Sequence, residues 1–191
     1  MVRSYDASRP VPPDVVDRIV RNALRAPSAG FSQGWGFLVL DTPADVTRFR
    51  DAVRPEDHPE NWFAANVAAP LLIIPHSSKD AYLDRYARPD KGFTDRSDAW
   101  WLAPYWDIDT GFASVLMLLT AVDAGLGACF FGFPVDRIEP YRAAFGVPAQ
   151  FTPIGAISVG YSDEPPRDLR SQRKPEAQTV HRGRWNQAAA G

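Results

Sequence analysis

The sequence predicts one mixed α and β domain with helices lying on the faces of a sheet. Three observations predict it. Short apolar runs of strand length recur at 35–40, 71–74, 128–131 and 152–161. Segments with the 3, 4 apolar spacing of helices alternate with them. The chain has 191 residues, 45% hydrophobic and 23% charged, which suits a single domain with its own core and excludes a disordered chain.

The elements follow in order. Val15, Val16, Ile19, Val20, Ala23 and Leu24 fall on one side of a helix over Asp14–Arg25, preceded by Pro12 and Pro13 and closed by Pro27. A loop of small residues, Pro27-Ser28-Ala29-Gly30-Phe31-Ser32-Gln33-Gly34, leads into a buried strand, Trp35–Leu40. Asp41 or Thr42 caps a helix over Ala44–Val53, and a short helix is expected near Phe63–Val67. Leu71–Ile74 is a second strand. Residues 77–104, charged and aromatic, are expected to form an excursion or lid rather than sheet. Asp109 is read as the N-cap of a helix over Thr110–Ala124, apolar nearly all round like a central buried helix and ended by Gly125. Ala128–Phe131, Pro134–Phe145 and Thr152–Tyr161 then predict strand, helix and strand, and an Arg-rich, proline-punctuated extension follows from about residue 163.

Composition excludes several classes of function. A formal charge of −2 gives no basis for nucleic-acid binding. The longest apolar stretch, Phe112–Leu119, is far shorter than a membrane span. The first residues carry no apolar signal segment, and the single Cys129 allows no intrachain disulfide, so a reducing, cytoplasmic setting is expected. His58, His76 and His181 lie too far apart for a metal-ligand spacing and read as surface or structural residues. Cys129, with no base beside it in sequence, reads as a buried, inert thiol. There is no nucleophile elbow, no phosphate loop ending in Gly-Lys-Ser/Thr and no Gly-x-Gly-x-x-Gly opening a helix.

Two segments remain. Ala26–Trp35 is a helix-to-strand loop whose small residues let a planar or phosphorylated ligand approach the backbone. Gly125–Pro134 joins the apolar helix to a strand-like stretch ending in Gly132. Each alone is only a turn. Taken in order with Arg3-Ser4-Tyr5, Arg9-Pro10-Val11-Pro12, Gly125-Leu126-Gly127, Gly132-Phe133, Arg170–Pro175 and Val180-His181, they resemble the FMN-dependent nitroreductase family over nearly the whole chain except about 77–104.

That resemblance implies an α+β fold, a three-layer α/β/α sandwich with a mixed central sheet, in an intertwined homodimer. It implies FMN at the dimer interface, NADH or NADPH as reductant, and a nitroaromatic, quinone or similar small-molecule acceptor. Residue by residue, it assigns Arg3 to the flavin pyrimidine side or ribityl chain. Pro27, Ser28 and Ala29 match the loop that lies against the partner's flavin. Asn61 matches an Asn at the pyrimidine edge, and Phe131 and Gly132 match the turn whose N–H groups approach N5 and O4. Arg173 matches the Arg that pairs with the phosphate, with Arg170 and Lys174 as neighbours. Phe31 stands where the family often has Asn, Gly34 where it has Pro, and Met1 where it has the Ser that follows its first Arg. Two alternatives stay open: a flavin-sequestering protein without efficient nicotinamide turnover, and a specialised biosynthetic flavin dehydrogenase. The aromatic run Trp100–Trp106 suits either an acceptor pocket or interface packing.

Overall fold

A proline at the first helical position needs no N–H donor, and Pro13 opens α1 (Pro13–Ala23) in this way, with Val16, Ile19 and Ala23 turned inward. The structure, a computed structural model, describes residues 1–55, 68–165 and 168–185. The expected helix near Phe63–Val67 and the candidate Asn61 lie outside the described residues. β1 (Trp35–Leu40) follows, then α2 (Pro43–Val53), whose cap is Thr42: its hydroxyl accepts the Asp45 N–H at 3.2 Å. β2 (Leu71–Ser77) runs three residues beyond the expected strand, and α3 (Lys79–Tyr86) starts directly after it. Residues 87–104 form turns and bends, and α4 (Tyr105–Asp123) is the long central helix. β3 (Gly127–Phe131), a 3-10 turn at Val135–Arg137, α5 (Ile138–Phe145), β4 (Thr152–Pro153) and β5 (Ala156–Gly160) complete the domain.

The strands lie in the order β1-β2-β5-β3, and every pairing among the described residues is antiparallel. The mixed sheet implied by the resemblance is therefore corrected within this chain. The two strands joined through α4, β2 and β3, do run the same way, but β5 lies between them, so they share no ladder.

The expected single strand over 152–161 is split, and β2 supplies the reason. Pro75 has no N–H to give, and its carbonyl accepts the Ile154 N–H at 3.0 Å. A residue in an antiparallel strand turns both polar groups to the same neighbour. The missing donor therefore faces the β4–β5 side, where the chain breaks at residues 154–155.

β2 also explains the three layers. Leu71 and Ile73 join the core under α1 and α4, with Ile19, Met117, Ala121 and Ile157. Leu72 and Ile74 join the opposite core under α2 and α5, with Phe49, Val53 and Tyr141. Alternate side chains leave opposite faces of a strand, and both faces here are covered, so the run is apolar throughout. His76 is structural, as expected: it is buried, stacked on Tyr141, and its Nε2 lies 2.8 Å from the Tyr141 hydroxyl. Burial lowers its pKa below the usual imidazole value. Cys129 is buried, and desolvation pushes its thiol up.

α4 is only half a buried helix in this chain. Ala113, Ser114, Met117, Thr120 and Ala121 are buried against the sheet and α1, where the Thr120 hydroxyl accepts the Asn22 side-chain N–H at 3.0 Å, while Phe112, Val115, Leu119 and Val122 stand exposed on the far side at helical spacing.

Candidate functional site

The loop between α1 and β1 is short, but its backbone is held at many points. Ala29–Phe31 forms a 3-10 turn after Ser28. The Ser28 carbonyl accepts the Phe31 N–H at 2.9 Å, and the Ser28 hydroxyl accepts the Gln33 N–H at 3.0 Å. Gly30, Phe31 and Gln33 all have left-handed backbones, with φ of 62°, 56° and 49°. Such angles cost a non-glycine residue about 1 kcal/mol each, so the surroundings must impose them.

Those surroundings are α3 and α4. Asp109 is buried in the second turn of α4, and its Oδ2 accepts the Ala29 N–H at 2.7 Å and the Tyr82 hydroxyl at 2.7 Å. The expectation that Asp109 caps the helix is corrected: α4 begins four residues earlier, at Tyr105, and the carboxylate ties loop to helix. Tyr82 is fully buried, and its phenol is pushed far above its ordinary pKa, first by burial and then by the Asp109 carboxylate it donates to. Arg85 Nε donates to the Gly30 carbonyl at 2.8 Å. Ser78 N–H donates to the Gly34 carbonyl at 2.7 Å. Gly34 sits so close to α3 that a Cβ there would lie 2.6 Å from a Tyr82 ring carbon and 2.9 Å from the Ser78 carbonyl oxygen.

The segment after α3 closes the other side. Ala29, Tyr86, Phe93, Trp100, Trp101, Leu102 and Tyr105 surround a cavity of about 370 Å³. Trp101 is its fixed floor, meeting Tyr86 at 4.5 Å between ring centroids, Tyr105 at 5.8 Å, and Tyr82 and Trp106 at 6.0 Å. Phe93 and Trp100 stand more exposed and meet each other at 6.4 Å. Trp100, Trp101, Leu102 and Tyr105 of the aromatic run thus line this cavity.

The remaining candidates divide between two edges of the sheet. Phe131 is buried at the end of β3, paired with Ala156, and Gly132 follows it on the surface. A Cβ at Gly132 would meet nothing within 4 Å, so the chain's own packing does not require glycine there. The N-terminal segment runs beside β3, with the Val2 N–H bonded to the Ala128 carbonyl at 3.2 Å; Arg3 is exposed there and its N–H donates to the Glu164 carboxylate. Loop 27–34 enters β1 at the same end of the sheet where β3 finishes, but on the opposite edge. Three interstrand spacings separate those edges, about 14 Å. Pro27, Ser28, Ala29 and Phe31 therefore form one group, and Arg3, Phe131 and Gly132 another. Arg170 and Arg173 lie in the exposed extension, with Arg170 Nε 3.4 Å from Asp168.

Sequence reasoning missed Asp109, Tyr82 and Tyr86 as residues of this site. A signal for Asp109 was present: an acid inside an otherwise apolar helix is rarely buried without a partner. Among the described residues no cluster of His, Cys, Asp or Glu could hold a metal, and no helix is long and apolar enough to cross a membrane.

Comparisons with known proteins agree with this architecture. A Methanothermobacter thermautotrophicus protein, provisionally named an NADH dehydrogenase/NAD(P)H nitroreductase, is 28% identical over 172 residues, covering 88% of this chain and 76% of its own. The crystal structure of a nitroreductase family protein from Clostridium difficile matches with a TM-score of 0.74 at 23% identity, over 96% of this chain and 93% of that one. A provisionally named nitroreductase from Exiguobacterium sibiricum, crystallised in complex with FMN, matches with a TM-score of 0.73 at 20% identity, over 94% and 91%. The sequence model of the Nitroreductase family matches residues 1–161, most of the chain, and the protein belongs to that family.

Proposed function

We propose that the protein is an FMN-dependent oxidoreductase that passes electrons from NADH or NADPH to a nitroaromatic, quinone or similar small-molecule acceptor. The observation that carries this reading is the Ser28–Ala29 turn, held open by Asp109 beside an uncharged aromatic cavity. When bound, FMN supplies the two-electron chemistry, which accounts for a site without an acid–base pair.

The residues present fit such a group. Pro27, Ser28 and Ala29 offer a small-residue backbone surface that a flat ring system can approach. Gly132 leaves open space beside the end of β3. Arg3, Arg170 and Arg173 are exposed guanidinium donors, and Arg173 is the candidate for the phosphate, where a planar fork suits two oxygens. Arg3 would place positive charge where the ring system becomes electron-rich. The aromatic cavity would hold a flat acceptor against its rings.

The separation of the two groups supports a homodimer. One chain's Pro27–Phe31 group would complete a site with the Arg3–Phe131–Gly132 group of a second copy. The exposed stripe Phe112, Val115, Leu119 and Val122 on α4 supplies an apolar face for that contact.

The test is the visible spectrum of the purified protein, its mass by light scattering, and steady-state oxidation of NADH and NADPH with a naphthoquinone. A flavin band, a mass twice that of one chain and acceptor-dependent oxidation are expected. Failure to hold FMN after reconstitution would overturn the reading. Bound flavin with no nicotinamide oxidation would turn it into a flavin-holding protein.

A further inference from the structure

Segment 87–104 forms a second cleft, of about 290 Å³, lined by Gly92, Phe93, Thr94, Asp95 and Trp100. Its lining differs in kind from that of the cavity at Ala29, because it carries a charge. Two aromatic rings and one carboxylate meet there. The rings of Phe93 and Trp100 lie 6.4 Å apart with their planes at 61°, so they make a corner rather than a stack. Trp100 is 69% exposed and Phe93 38%, which leaves ring surface free for a guest. The corner is held from behind: the Phe93 N–H donates to the Tyr86 carbonyl at 3.2 Å, and its ring meets Tyr86 at 5.9 Å.

Asp95 is the unusual member. Its Oδ1 accepts the Ser97 N–H at 3.1 Å, and the Ser97 hydroxyl accepts the Ala99 N–H at 3.2 Å, which fixes the carboxylate's direction. Yet Asp95 makes no ion pair among the described residues, although cations surround it in sequence. Arg96, its neighbour, bridges Asp80 and Asp84 on α3. Lys79 pairs with Asp98, Arg85 with Asp90, and Lys91 lies over the Tyr86 ring at 5.2 Å. Arg96 reaches α3 from a left-handed backbone, φ 53°, which is unfavourable for a residue with a side chain. The chain thus accepts strain where it turns the adjacent cation toward α3, and the Asp95 charge stays unmatched.

The chemistry of the lining sets the guest. Ring faces are electron-rich and attract a cation, most of all one whose alkyl groups also pack against them. The carboxylate supplies a full opposite charge. An anion would be repelled by Asp95, and a neutral apolar guest would desolvate the carboxylate with no return. A hard metal ion needs about six oxygen ligands, and one carboxylate beside two rings does not provide them.

We propose that this cleft binds an alkylammonium headgroup, with Phe93 and Trp100 against its N-alkyl groups and Asp95 as its counter-ion. The site stands on this chain's own residues and is independent of flavin, nicotinamide and turnover.

The experiment is an NMR titration of the purified protein at low ionic strength with choline and with 3,3-dimethylbutan-1-ol, which has the same shape with carbon in place of the charged nitrogen. Backbone amides of Gly92, Thr94 and Asp95 report the cleft, and those of Ala29 and Tyr105 report the neighbouring cavity. Choline is expected to bind about tenfold tighter than the alcohol, the scale of exposed cation–ring contacts added to one exposed ion pair. Asp95→Asn should weaken choline about three- to fivefold and leave the alcohol unchanged, and Trp100→Leu should weaken choline by a similar factor. Sodium chloride at about 1 M should remove the share that Asp95 contributes. Both side chains are exposed, so the amide spectrum away from the cleft should stay native in each variant. Equal binding of choline and the alcohol overturns the proposal. So does a preference for choline that survives Asp95→Asn undiminished, and so do shifts confined to Ala29 and Tyr105, which would move the guest into the uncharged cavity.

Discussion

The two walls of the cavity, loop 27–34 and segment 87–104, are held by opposite physics. The loop is fixed from within. A buried carboxylate, a buried phenol and a close glycine contact lock a backbone that takes left-handed angles at three positions. Up to its ring anchor at Trp101, the segment is fixed from outside, by exposed ion pairs back to α3: Lys79 with Asp98, Arg96 with Asp80 at 3.1 Å and Asp84 at 3.0 Å, and Arg85 with Asp90 at 2.8 Å. Buried polar contacts are costly to break, because the abandoned partner has no water to turn to. Exposed pairs are individually weak and are screened by salt. A cavity built this way has one wall held by buried contacts and one held largely by weak, salt-sensitive pairs.

The strongest way to break the contrast is Asp109→Ala. It strands the Ala29 N–H and the Tyr82 hydroxyl, two donors that now share one carboxylate oxygen. The expected loss is about 3 kcal/mol of unfolding free energy in urea titration. Asp109→Asn keeps an acceptor oxygen and should cost about 1 kcal/mol. If Asp109→Ala costs no more than Asp109→Asn, the carboxylate does not hold the loop.

Gly34→Ala attacks the same wall from its other end. The new methyl would crowd both the Tyr82 ring and the Ser78 carbonyl, and the second is backbone that cannot swing away. Overpacking of this kind costs about 2 kcal/mol and should show as a lowered urea midpoint with an unchanged slope. Gly132→Ala is the matched control. It meets nothing in this chain, so the stability of the fold should hold; a loss confined to flavin occupancy would place the requirement for glycine with the bound group.

Much of this could be read from sequence, and the exceptions have physical causes. Trp35–Leu40 was legible because strand residues carry their own apolar signature, and Pro13 and Thr42 marked helix starts through their own chemistry. The split at 154–155 was not legible there, because its cause is Pro75 on a neighbouring strand. Nor was the role of Asp109, since an acid near the start of an apolar run looks like a cap until the helix proves to start earlier. The exposed half of α4 read as core because hydropathy does not say whether a sheet or a second copy covers a face. The loop around Ala29 was found through its small residues, whereas the cavity beside it arises from contacts between 29, 86 and 93–105 that no local pattern encodes.

The smallest effect is expected at the outer wall, and it is the one that distinguishes the two walls most cleanly. Arg96 bridges Asp80 and Asp84 on successive turns of α3 while its own backbone sits at φ 53°. That angle is unfavourable for a side-chain-bearing residue, so the ion pairs work against local strain. Arg96→Gly removes the pairs and relieves the angle; Arg96→Ala removes the pairs and keeps it. Amide hydrogen exchange over 87–104 should therefore quicken by about two- to fivefold in Arg96→Ala, and less in Arg96→Gly, with exchange over 27–34 unchanged in both. Raising sodium chloride to about 1 M, where the screening length is about 3 Å, should reproduce the Arg96→Ala result in the native chain. Acid acts on the same wall. Lys79 holds the Asp98 carboxyl, and Arg85 the Asp90 carboxyl, below the usual carboxylate range. Depressed carboxyls contribute their stabilisation above the unfolded value and lose it as pH falls through the folded one. Exchange over 87–104 should thus show no pairing-related change between pH 7 and 5, once corrected for intrinsic rates, and should loosen only as the pH drops below about 4. If salt or acid loosened 27–34 as readily as 87–104, the two walls would be one cooperative unit and the cavity would open and close as a whole.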